Sequence, residues 1–202
     1  YVPSIYWDDE FIGEDSVAMG YATVASGDRS LVGGGYYNKV FSDDSIISGG
    51  SDNEIYDTNS VIIGGQGNII YDSESIILGG YFNRVIDQSI ILGGFKSYAA
   101  GTSNIIFGYN HSIDSAESMS LGGMNNTISG TQNIVFGSDV TVDGDQVMII
   151  SKGSDSLDVS ATSSIIILAD NGVGINTANT QSNYLTVDGD VYATYLVGDG
   201  SL

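Results

Sequence analysis

The stretch Ser45-Ile46-Ile47-Ser48-Gly49-Gly50-Ser51-Asp52-Asn53-Glu54-Ile55-Tyr56-Asp57 decides how the chain reads, because it comes back. It returns as Ser60-Val61-Ile62-Ile63-Gly64-Gly65-Gln66-Gly67-Asn68-Ile69-Ile70-Tyr71-Asp72, and again from Ser75 and Ser89. A unit this short, at nearly constant spacing, marks a solenoid in which each coil buries its neighbour. Coils begin near Ser16, Ser30, Ser45, Ser60, Ser75, Ser89, Asn104, Ser118 and Asn133, so the spacing alternates between 14 and 15 residues. Each half-coil is too short for an average helix and rich in β-branched residues, which predicts two short strands per coil. Paired-helix repeats are excluded, because they need more than twice this length.

Strand periodicity assigns the faces. In Ser75-Ile76-Ile77-Leu78, Ile76 and Leu78 share one face and Ile77 takes the other, so both faces are apolar. The same holds for Ile90-Ile91-Leu92, Ile105-Ile106-Phe107 and Ile134-Val135-Phe136. A narrow roll has one interior, so the second apolar face predicts a cover, most simply an identical copy about a symmetry axis. The second strand of the coil differs. In Asn38-Lys39-Val40, Asn53-Glu54-Ile55, Asn68-Ile69-Ile70 and Asn83-Arg84-Val85 the third residue points inward, and Lys39, Glu54 and Arg84 face water. Asn38, Asn53, Asn68, Asn83 and Asn126 form a structural column whose amides bond from coil to coil, with Thr23, Ser97 and His111 in register.

Composition sets the limits around this core. The 202 residues include 28 glycines, one proline and no cysteine, with a formal charge of −20 from 25 acidic against five basic residues. Glycine without proline suits many tight turns. The acidity repels phosphates, so neither nucleic acid nor an anionic membrane is expected as a partner. No apolar run approaches the ~20 residues that span a bilayer. Without cysteine, no disulfide or thiolate metal site is possible. The chain opens on Tyr1 with no signal pattern, as a processed or trimmed product would.

His111, the sole histidine, falls in the asparagine column and reads as structural; a trimeric acyltransferase would need a six-residue period, which the chain lacks. Asp143-Gly144-Asp145 and Asp188-Gly189-Asp190 lack the alternating oxygen ligands of a calcium loop and read as turns. Asp8-Asp9 and Asp43-Asp44 are adjacent acids, not a pair facing across a cleft as glycosidases require. The glycines carry no phosphate-loop Lys-Ser/Thr. No cofactor, metal or enzymatic activity is therefore expected. Aromatics are the suggestive residues. Tyr36, Tyr81, Phe95 and Tyr109 follow the glycine turn, and Phe41, Tyr56 and Tyr71 form a second column. The first four are candidate ligand contacts, for a host-surface glycan or protein; cross-coil stacking is the competing reading.

Ser16-Val17-Ala18-Met19-Gly20-Tyr21-Ala22-Thr23-Val24-Ala25-Ser26-Gly27 resembles the head repeat of trimeric autotransporter adhesins of the YadA type. The resemblance covers residues 16–145, the later coils being a variant with Gly-Gly-x-x-Asn-x-Ile. It implies an all-β, left-handed parallel β-roll of 14–15-residue coils, assembled as a homotrimer. The tail, from Gly172 to Thr177 and from Leu185 to Leu202, resembles segments of phage tail fibres that precede an endosialidase-type intramolecular chaperone, although Asn176 replaces a glycine. No basic neck or heptad stalk follows the roll, which tips the reading from adhesin head to viral fibre. The expected organisation is a lead-in or cap over 1–15, the roll over 16–145 and a β-rich stem over 146–202. The expected function is a non-enzymatic, extracellular attachment fibre, with an adhesin head as alternative and an acyltransferase-like enzyme as a distant one.

Overall fold

The computed structural model describes residues 11–152, 156–168, 173–175 and 185–187. It is an all-β parallel β-solenoid of about ten turns with coils of about 15 residues. The first strands of successive coils, from Val17–Ala18 to Ser164–Leu168, form one 11-stranded sheet, and the second strands, from Val24–Ala25 to Leu157–Val159, form a 10-stranded sheet. Each pairing along these two sheets is parallel and links one coil to the next, as in Ile46↔Val61↔Ile76↔Ile90, with the register shifting between Ile91 and Gly94 and between Phe107 and Tyr109. A third ladder, one residue wide, runs along the glycine corner through Tyr21, Tyr36, Ser51, Gln66, Tyr81 and Phe95.

Two corners per coil turn the chain, and most of them place a residue in the left-handed region. Along one corner these include Tyr37 (φ 55°) and Phe82 (φ 57°), bulky side chains in a conformation that costs about 1–2 kcal/mol. Part of that cost is offset, since each of these residues donates its N–H to the previous coil: Tyr37 to Tyr21 O and Phe82 to Gln66 O, both at 2.9 Å.

The interior is a stack of layers. Ile47 and Ile55, Ile62 and Ile70, and Ile77 and Val85 are fully buried, one from each sheet per coil. Towards the N-terminal end the layers shrink to Val32 with Val40 and then Ala18 with Ala25. Beyond Asp145 the ladders continue. Met148 pairs with Ile134 after a step of 14 residues and with Ile165 after 17, so the irregularity expected near Gln146 is a longer coil. The tail residues Val173–Ile175 and Leu185–Val187 pair in parallel as a separate two-stranded sheet. Residues 1–10 of the expected cap lie outside the described residues.

Candidate functional site

Two polar columns pin the coils from inside. Asn38, Asn53, Asn68, Asn83 and Asn126 are wholly buried. Asn53 Nδ2 donates to Asn38 Oδ1 at 3.1 Å, to Gly49 O at 3.2 Å and to Gly65 O at 3.1 Å. Asn38 Oδ1 also accepts from the Asn53 N–H at 3.1 Å. The two hydrogens of the amide are thus shared among a neighbouring amide oxygen and two glycine-corner carbonyls. Glycine at the second corner position is what admits it: a Cβ on Gly65 would lie 2.1 Å from Gly80 O and 2.7 Å from Asn68 Nδ2, at φ 88°. Opposite runs a column that periodicity alone did not identify. The coil-leading serines are buried, and each hydroxyl accepts the N–H of the next, Ser45 from Ser60 at 3.1 Å and Ser60 from Ser75 at 3.2 Å. Asn104 and Asn133 occupy this column too.

His111 sits in the asparagine column, where its Nδ1 accepts the Asn126 N–H at 3.2 Å. Nε2 is buried without a good hydrogen bond, and a Cβ on Gly108 would lie 2.0 Å from it. Burial pushes the His111 pKa down from 6.5 to about 4, with the Gly123 carbonyl opposing weakly, so the ring is neutral at pH 7. The residue is buried. Asp43 and Asp44 do not form a pair: Asp43 accepts the Asp28 N–H at 2.8 Å, while Asp44 holds Arg29 through two bonds of 2.7 Å. Asp145 Oδ1 accepts the Thr131 N–H at 2.7 Å, as a turn residue does. Asp8, Asp9 and Asp188-Gly189-Asp190 lie outside the described residues. Among the described residues no cluster of three or more His, Asp or Glu is placed to hold a metal.

The outer faces of the two sheets contrast. On the 11-stranded sheet, Ile76 flanks fully buried Ile77 on the outside and Leu78 is 47% exposed. Leu92, Phe107 and Phe136 continue that column, with Ile46, Ile134 and Ile165 beside it. A shallow groove of about 230 Å³ crosses this face over Ile134, Met148 and Ile165, with Gln132, Gln146 and Ser163 among its lining residues. The first outward position of this sheet is apolar in every coil from Val17 to Ile165, a pattern that marks an interaction surface.

The 10-stranded sheet is dressed for water. Lys39 Nζ bonds Glu54 at 2.9 Å, and Tyr56 donates its hydroxyl to the same carboxylate at 2.6 Å. Burial alone would raise the Glu54 pKa, but the bonds from Tyr56 and Lys39 outweigh it and hold the carboxyl below its usual range. The bond to Glu54 pushes the Tyr56 hydroxyl up to about 12. Phe41, Tyr56 and Tyr71 stack at 5.1 and 5.4 Å, and Arg84 lies over Tyr71 at 5.4 Å.

The corner aromatics divide. Tyr36 stacks on Tyr21 at 4.8 Å and meets Tyr37 edge-on at 4.4 Å. Phe95 stacks on Tyr109 at 5.1 Å with Phe82 against it edge-on. Tyr81 is 54% exposed and makes no ring contact with a described residue. Tyr36, Tyr81, Phe95 and Tyr109 therefore share one column, but the column is broken at Ser51 and Gln66. Comparison with protein-family models and with curated protein sequences gives no match.

Proposed function

We propose that the chain is a structural and attachment segment of an extracellular fibre, non-enzymatic and assembled as a homotrimer of left-handed β-rolls. The observation that carries this reading is the uncovered apolar face of the 11-stranded sheet, which a copy of itself covers most simply. The threefold number and the handedness come from the likeness of Ser16–Gly27 and its repeats to adhesin head repeats. The likeness of Gly172–Thr177 and Leu185–Leu202 to tail-fibre segments favours a phage-type or virus-like fibre. A bacterial adhesin head is the second reading, supported by the first coil.

The mechanism is mechanical. Coil-to-coil backbone bonds give stiffness along the roll, and association buries the second apolar face. The acidic surface keeps such a rod soluble and away from nucleic acid. Electron micrographs of the isolated protein test the fibre reading. Slender rods, with a roll of roughly 50 Å for ten coils at ~4.8 Å each, are expected; rounded particles without an axis would contradict it.

A further inference from the structure

We propose a glycan site on the glycine corner at the third and fourth coils, where the aromatic column breaks between Tyr36 and Tyr81. The proposal rests on the attachment reading above and names its ligand class, a short neutral oligosaccharide. In-register bridges place Tyr36, Ser51, Gln66 and Tyr81 one above another, so the two rings lie three coil steps apart, ~14 Å. Tyr36 stacks on Tyr21 and meets Tyr37 edge-on, and its backbone bridges to Ser51 in the next coil. Tyr81 borders the gap from the far side without a ring partner. Beside it, the Phe82 ring leans over Gly67, where a Cβ would lie 2.6 Å from Phe82 Cδ1. Gly67 thus leaves Phe82 room to widen the aromatic wall.

The floor of the gap supplies the polar half. The side chains of Ser51, Asp52 and Gln66 make no hydrogen bond to any described residue. At the opposite corner equivalent side chains are paired from coil to coil, Gln88 with Glu74 at 2.9 Å and Gln132 with Glu117 at 2.8 Å. A pyranose has an apolar C–H face that packs on an aromatic ring and hydroxyls along its edge. Tyr36 and Tyr81 take the faces, and the Asp52 carboxylate, Gln66 amide and Ser51 hydroxyl take the edges. The chain's charge of −20 and the unpaired Asp52 select against acidic sugars. Ser51 and Gln66 leave two positions of the column without an aromatic ring, one next to Tyr36 and one next to Tyr81.

Saturation-transfer NMR on the full chain, with chitotriose, mannotriose, lactose and 3′-sialyllactose as millimolar probes, tests this. Transfer to at least one neutral probe is expected, strongest at ring C–H protons and weaker for the sialylated one. A Ser51→Tyr/Gln66→Tyr variant completes the column with a residue type this position already carries, and should cut the transfer about tenfold at unchanged mass and melting temperature. Tyr36→Ala/Tyr81→Ala should lower it comparably. No transfer to any neutral probe, undiminished transfer in the filled variant, or transfer to the sialylated probe equal to that of lactose overturns the proposal. A change of mass in the filled variant also overturns it and assigns the corner to chain–chain contact. Rods that bind no probe sink this site alone, whereas rounded particles sink the fibre reading.

Discussion

The two sheets share one interior but present opposite exteriors. Outside the 10-stranded sheet, Lys39, Glu54 and Tyr56 bond one another and Arg84 covers Tyr71. Outside the 11-stranded sheet, Leu78, Leu92 and Phe107 are between 42% and 52% exposed, with no polar group among them. Burial of the inner residue does not explain the difference, because paired strands such as Val61–Ile62 and Ile69–Ile70 each bury one isoleucine completely. One exterior carries ion pairs and hydrogen bonds between its side chains, and the other is an apolar face.

The largest expected effect breaks that contrast directly. Leu92→Asp/Phe107→Asp places two charges per chain on the apolar face. If three chains meet there, the lost burial and added desolvation cost on the order of 10 kcal/mol, enough to leave single folded chains. The matched pair Tyr56→Asp/Tyr71→Asp, on the other face, should leave the mass unchanged; sedimentation velocity separates the two. Next in size is Asn68→Ala, which strips the Asn83 N–H and side-chain amide of their acceptor inside the roll. A loss of about 3 kcal/mol in denaturant unfolding is expected, with the oligomer retained until the coils open.

A smaller effect follows from His111. Its folded pKa, about 4, lies below the ordinary 6.5, so the unfolded chain binds a proton first as pH falls. Stability is complete above pH 6.5 and drains between 6.5 and 4, by about 2 kcal/mol at pH 5. His111→Asn restores the amide of the other coils and should flatten this part of the pH profile, measured by melting at pH 5 and pH 8.

Much of this contrast is legible in the residues themselves. The alternation in Ser75-Ile76-Ile77-Leu78 separates inner from outer side chains, and Ile77 and Leu78 lie where it places them. Thr23, Ser97 and His111 are buried in line with the asparagines because spacing alone assigns them that position. Other features were not readable. The serine column looks like a string of turn residues until the coils are stacked, since its bonds join residues 14 or 15 apart. Tyr37 and Phe82 give no hint of a left-handed backbone, which their type disfavours and which goes with their N–H bonds to the previous coil. The lengthened coil after Gln146 hides behind Val147, an apolar residue where earlier coils carry Ser or Asn. The gap at Ser51 and Gln66 reads as ordinary variation until the third ladder puts aromatic rings on either side.

The proposed cover for the bare face of the 11-stranded sheet is further copies of this chain. Native mass spectrometry of the purified protein tests it most directly. The expected species is three times the 21.1 kDa of one chain, persisting on dilution. A stable dimer would keep the covered face and overturn the threefold arrangement, and a stable monomer of 21.1 kDa would contradict the account.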